Sequence, residues 1–118
     1  MAMLYTPYQG IVPMHSGAVA TGNGTSLDTL DGSNGASSYA TIQIEGISGD
    51  TITFEGTIDN STWYALRFTG LTSGTAATTA TADGIYQSTL PVLGLLNVRA
   101  RFSTYRAGVI YASGVAVG

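Results

Sequence analysis

From Asp50 to Phe68 the chain reads DTITFEGTIDNSTWYALRF, two alternating apolar and polar runs around a polar turn. Ile52 and Phe54 fall on one face and Thr51, Thr53 and Glu55 on the other, the period of a half-buried β-strand. Asp59, Asn60 and Ser61 supply the turn, because Asn and Asp side chains bond their own backbone and tolerate left-handed conformations. Beyond it, Tyr64, Leu66 and Phe68 alternate with Trp63, Ala65 and Arg67, which predicts the second strand of a β-hairpin. Trp63 and Tyr64 are adjacent, so this reading points one of them into the core.

The same period recurs along the chain. In Tyr39 to Glu45, Ala40, Ile42 and Ile44 oppose Thr41, Gln43 and Glu45. Ser48, Gly49 and Asp50 then read as a short turn. A weak edge strand is expected near Ala77 to Ala82, and another strand from Gly84 to Thr89, stopped by Pro91, which lacks the ladder N–H. Leu96, Val98, Ala100 and Phe102 face inward against Asn97, Arg99 and Arg101. Val109 to Val117 closes the pattern, with Gly108 read as a turn and Gly114 as a bulge. Roughly six or seven short strands with regular turn signals predict an all-β fold, an antiparallel β-sandwich of jelly-roll type. Its expected core is Phe54, Leu66, Phe68, Val98 and Phe102, faced by Ile42 and Ile44.

Residues 1–36 break this rhythm. They are rich in Gly, Ser, Asn and Asp, and no period persists. The division expected is an extended N-terminal arm with loops over 1–36 and a sandwich domain over 37–118. Leu4, Tyr5, Tyr8, Ile11 and Val12 make the arm too apolar for a freely solvated tail. Pro7 and Pro13 interrupt it and favour extended backbone before them. The arm is therefore expected to lie along a partner, with its tyrosines as anchors.

Composition removes whole classes of function. The 118 residues include no cysteine, no lysine and one histidine, and only 9% are charged, with a net charge of −3. Without cysteine there is no disulfide or thiolate metal site. Without a basic patch there is no electrostatic footprint for nucleic acid. No run approaches the roughly 18 apolar residues of a membrane span, and no signal peptide is recognisable. A surface so poor in charge, made of Thr, Ser, Asn and Gly, suits a protein packed against other subunits, since interfaces are depleted in Lys and Glu. A homo-oligomer, most readily a trimer, is expected to satisfy it.

Little in the chain suits catalysis. A nucleophile needs a base, most often histidine, at hydrogen-bond distance, and this reading puts His15 in the irregular arm. Glu45, Glu55, Asp59 and Asp83 could in number form a paired-carboxylate site. Glu45 and Glu55 are instead expected on outward faces opposite Arg99 or Arg101, as cross-strand ion pairs. Asp28-Thr29-Leu30-Asp31-Gly32 places two carboxylates in a glycine-bearing loop, but the alternating oxygen ligands of a calcium loop are missing. It reads as an Asx-turn. Asn23-Gly24-Thr25 and Asn60-Ser61-Thr62 match glycosylation acceptors and read as turns. No cofactor, metal or catalytic residue is assigned. Trp63, Tyr64, Tyr86, Tyr105 and Tyr111 keep a second function open, since sugar rings stack on exposed aromatic faces.

The stretch TFEGTIDNSTWYAL, an apolar glycine-bearing segment and then LLNVRARFSTYRAGVIYASGVAV together resemble a β-sandwich module recurrent in structural proteins of tailed bacteriophages. The residues carrying the likeness are Phe54-Glu55-Gly56, the Asp59 turn, Trp63-Tyr64, Asn97 to Arg101 and Gly108-Val109, within about Ile42 to Val117. The resemblance implies a virion component, assembled in the host cytoplasm, such as a head decoration protein or a neck, tail or fibre module, and it implies no catalytic residues. A short chain with one sandwich and a separate arm fits a capsid decoration (cement) protein best, with the major capsid protein or another virion subunit as partner. The alternative is a tail, neck or fibre module binding a host-surface glycan or receptor. The partner-binding residues expected are Leu4, Tyr5, Tyr8, Ile11, Val12 and Trp63.

Overall fold

The computed structural model describes residues 11–29, 39–92 and 95–117. Strands follow one another as β1 (Val12–Ala18), β2 (Leu27–Asp28), β3 (Tyr39–Glu45), β4 (Thr51–Thr57), β5 (Tyr64–Ala65), β6 (Phe68–Gly70), β7 (Ala76–Ala77), β8 (Thr79–Ala80), β9 (Gly84–Ser88), β10 (Asn97–Thr104) and β11 (Ile110–Val117). They form two antiparallel sheets, one in the order β1-β11-β3-β9-β6-β7 and one in the order β2-β10-β4-β5, with β8 also pairing β4. The architecture is a β-sandwich.

Alternation builds the core between the sheets. Ile42 and Ile44 of β3, Ile52 and Phe54 of β4, Val98 and Phe102 of β10 and Ile110 of β11 are fully buried. Phe68 comes to Phe54 from the facing sheet and stacks on it, ring centroids 4.2 Å apart and 16° from parallel. Leu66 is half-buried and packs against this cluster rather than inside it.

Two expectations are corrected by the topology. The strand read from Tyr64 to Phe68 is two strands. β5 pairs β4 (Glu55 opposite Ala65), the chain then crosses, and β6 joins the six-stranded sheet beside β9. Alternation resumes in phase across the break, so the pattern hides the change of sheet. The second correction concerns the arm, which was expected to lie outside the sandwich up to residue 36. Val12–Ala18 is an edge strand on β11, and Leu27–Asp28 pairs β10. Pro13 and Gly17 are accommodated because the β1 register slips between Pro13 and His15 and again between Ser16 and Ala18. Such bulges let a strand absorb residues that cannot keep its period. No bulge falls at Gly114, since β11 pairs β3 in unbroken register there. A side chain at Gly114 would instead meet Met14 Sδ at 2.8 Å.

A buried carboxylate ties two connections together. The β3–β4 and β10–β11 links both carry the chain from one sheet to the other, and Asp50 joins them. Its Oδ2 accepts the Ser48 and Gly108 N–H groups (2.9 and 2.8 Å) and its Oδ1 accepts those of Ala107 (3.1 Å) and Arg106. Burial opposes ionisation here, but the four donors outweigh it and hold the carboxyl below its ordinary value. The residue read as a turn former is the staple of that end of the molecule.

Candidate functional site

Trp63 is the expected site residue that the fold presents most clearly. The turn before it is held by Asp59, whose Oδ1 accepts the Ser61 and Thr62 N–H groups, both at 2.9 Å. The Thr62 and Ser61 amides and the Thr57 hydroxyl lower the Asp59 pKa, and Asn60 takes the left-handed conformation (φ 60°). This turn lays Trp63 over the outer face of the β2-β10-β4-β5 sheet. The Arg99 guanidinium sits 3.9 Å from its ring centroid, a cation–π contact. Neither Trp63 nor Tyr64 enters the core: Trp63 is half-buried against Arg99, and Tyr64 is 71% exposed at the sheet edge.

Beneath the tryptophan is a compact ion network. Glu55 lies opposite Arg99 in the β4–β10 register. Arg99 Nε donates to Glu55 Oε1 (2.8 Å) and Arg101 Nε to Oε2 (3.1 Å). The Glu55 side chain is only 10% exposed and both oxygens are occupied. Around it Asn97 donates to Asn60 Oδ1 at 2.7 Å, and the Thr53 and Ser103 hydroxyls are 2.8 Å apart. This face is cross-linked by its own polar groups. Glu45, expected beside the same arginines, is on β3 of the other sheet, opposite Tyr111.

His15 and Thr29 are also engaged. His15, expected in an irregular arm, is on β1 and buried. Its Nε2 donates to the Ala100 carbonyl of the opposite sheet at 2.6 Å, and its ring meets the edge of Phe102. Thr29 is fully buried and donates from Oγ1 to the Leu95 carbonyl at 2.7 Å. Leu30, Asp31 and Gly32 of the glycine-bearing loop lie outside the described residues. Among those described, no three His, Asp or Glu side chains gather as a metal site, and no helix is long and apolar enough to cross a membrane.

The expected partner-binding residues divide. Leu4, Tyr5 and Tyr8 lie outside the described residues. Ile11 is 72% exposed just before β1. Val12 packs against the molecule's own core, so its apolar surface is used within the sandwich. What the sequence pattern missed is the outer face of the six-stranded sheet. Register places Ser113 and Tyr111 of β11, Gln43 and Thr41 of β3, Ile85 and Gln87 of β9 and Thr69 of β6 side by side there. Glu45 is the charged residue of these strands on that face. At about 4.8 Å between strands and 3.4 Å per residue the six strands of this sheet cover about 520 Å². That is about two-thirds of the roughly 800 Å² each partner contributes to a standard interface.

No family model and no curated protein matches the sequence. Two solved structures share the fold. The SPBc2 prophage-derived protein YomS superposes with a TM-score of 0.78 at 18% identity, covering 99% of this chain and 100% of its own. The PBSX exported protein XepA superposes with a TM-score of 0.81 at 14% identity over 98% of this chain, which spans 40% of XepA. The chain is thus similar, over nearly its whole length, to a sandwich found in phage-derived proteins.

Proposed function

We propose that this chain is a non-enzymatic phage structural protein that decorates the outside of the capsid, binding the major capsid protein or another virion subunit as a trimer or other homo-oligomer. The observation that carries this reading is the broad, nearly uncharged outer face of the six-stranded sheet. Tyr111 and Ile85 stand out from it, 53% and 41% exposed. A face of that area with little charge to desolvate docks on another protein at small electrostatic cost. The fold shared with phage-derived proteins supports the setting. The engagement of His15, Asp50, Asp59 and Glu55 in structural bonds supports a role without catalysis. Each bound copy stabilises the particle by adding buried area across a seam between capsid subunits.

The reading is tested on purified particles. Mass spectrometry and electron microscopy should find the protein on heads, and recombinant protein should sediment with capsids prepared without it. Tyr111→Asp, which sets a second carboxylate beside Glu45 on the face, should abolish that co-sedimentation while leaving the unfolding midpoint near wild type. Finding the protein only in particle-free medium, as an exported protein would be, overturns the reading.

A further inference from the structure

Between Gly70 and Tyr86 the chain leaves the six-stranded sheet, pairs with β4 through β8 and returns as β9. This detour borders a half-open cavity of about 470 Å³ on the flank of the sandwich, within the ~300–1,000 Å³ range of small-molecule sites. Its composition leaves the room. From Thr72 to Gly84 the chain reads TSGTAATTATADG, with no side chain larger than aspartate. A segment long enough to span both sheets thus leaves its interior unfilled.

The walls have a definite chemistry. Tyr86 tilts against Phe54, ring centroids 5.5 Å apart, and its hydroxyl is anchored on the Ala82 carbonyl. The ring is therefore fixed as one wall, and Ala77 and Ala80 extend the apolar surface. Thr81 is exposed in the same lining, and its hydroxyl has no protein partner among the described residues. Asp83 accepts the Ile47 N–H with Oδ1 at 2.8 Å, which leaves Oδ2 able to accept a ligand hydroxyl. Asp83 is the lining's charged residue.

An apolar wall ringed by hydroxyls and one carboxylate, without a cation, disfavours anionic ligands and matches a sugar ring. We infer that this cavity is a binding site for a neutral saccharide. The C–H face of the ring lies on Tyr86 and the alanines, and its hydroxyls bond Thr81 and Asp83. The site is independent of where on a particle the protein resides, so its failure leaves the decoration reading untouched.

The test is an NMR titration of the full-length ¹⁵N-labelled protein with glucose, galactose and N-acetylglucosamine. At least one sugar should give saturable shifts centred on the amides of residues 70–86, with a Kd of about 1 mM. Thr81→Trp fills the cavity mouth from an exposed position and should weaken binding at least about tenfold with an unchanged unfolding midpoint. Asp83→Asn keeps an acceptor for the Ile47 amide and should weaken binding severalfold. Absence of saturable shifts with every sugar, shifts centred on Trp63, or full affinity in Thr81→Trp each overturns the site. Tighter binding of glucuronic acid than of glucose overturns its assignment to neutral ligands.

Discussion

Phe54→Ala probes the packing on which the sandwich depends. The ring is fully buried, stacked 4.2 Å from Phe68 and tilted against Tyr86. Withdrawing that much apolar surface from the core forfeits about 1.5–3 kcal/mol of transfer free energy. Losing the stack adds about 0.5–1.5 kcal/mol. A cavity term follows because two hydrogen-bonded sheets cannot close over the gap, and Phe→Ala substitutions in cores total about 3–5 kcal/mol. A domain of this size has about 5–15 kcal/mol of stability in all, so the variant should be close to half unfolded in mild denaturant. Urea unfolding followed by circular dichroism measures the difference, with equal m-values confirming that the midpoint shift reports stability. Phe54→Leu retains most of the apolar volume and should lose only about 1–2 kcal/mol. Tyr64→Ala, at the exposed edge, should stay within about 0.5 kcal/mol of wild type. A loss below about 1 kcal/mol for Phe54→Ala, or equal losses at Phe54 and Tyr64, would show that β4 buries its other face.

Three further outcomes are expected. Gly108→Ala places a Cβ 2.1 Å from Asp50 Oδ2 and 2.3 Å from the Gly46 carbonyl oxygen; it should lose more than about 4 kcal/mol or fail to fold, whereas Gly22→Ala, with nothing within 4 Å, should purify normally with an unshifted melting temperature. Glu55→Gln leaves Arg99 and Arg101 without their carboxylate; because the Arg101 side chain is 37% exposed, the loss should be about 1–3 kcal/mol rather than the full penalty of a buried pair, and a change under about 0.5 kcal/mol in urea would deny the network a structural role. Asp50 and Asp59 both titrate below the ordinary 3.8 in the folded protein, so the stability they contribute is complete above that value and is lost as pH falls through their lower folded values; the urea midpoint should drop below about pH 4, and Asp50→Asn, weaker at neutral pH, should show a shallower acid decline.

The strands that alternate cleanly were legible because one face of each is buried. Ile42 and Ile44, Ile52 and Phe54, Val98 and Phe102 all lie on the sides that their periodicity indicates. The Asp59 turn was legible because its side-chain chemistry is local. Features that depend on distant partners were not. Met14 and His15 are adjacent and both buried because a bulge turns them the same way, which no period of two can express. Asp50 reads as a turn residue until the Arg106 to Gly108 amides arrive from elsewhere in the chain. The crossing at Leu66 and Arg67 is silent because alternation keeps its phase. The cavity on the flank is a matter of what small side chains fail to fill, and hydrophobic pattern marks only filled positions.

The position of β11 between β1 and β3 sets an order of events during synthesis. Val12 is paired with Gly114, and Tyr39 with Val117. Both strands emerge from the ribosome long before the strand that joins them. Until then β3 presents an open edge and β1 has nothing to bond, while β4 waits for β10 in the same way. Contacts of such sequence separation close slowly, so the nascent chain carries unpaired edges through most of its translation. Its low charge offers little protection against self-association in that interval. Slowing elongation late in the message should therefore raise the aggregated fraction, and supplying a β11 peptide in trans should lower it.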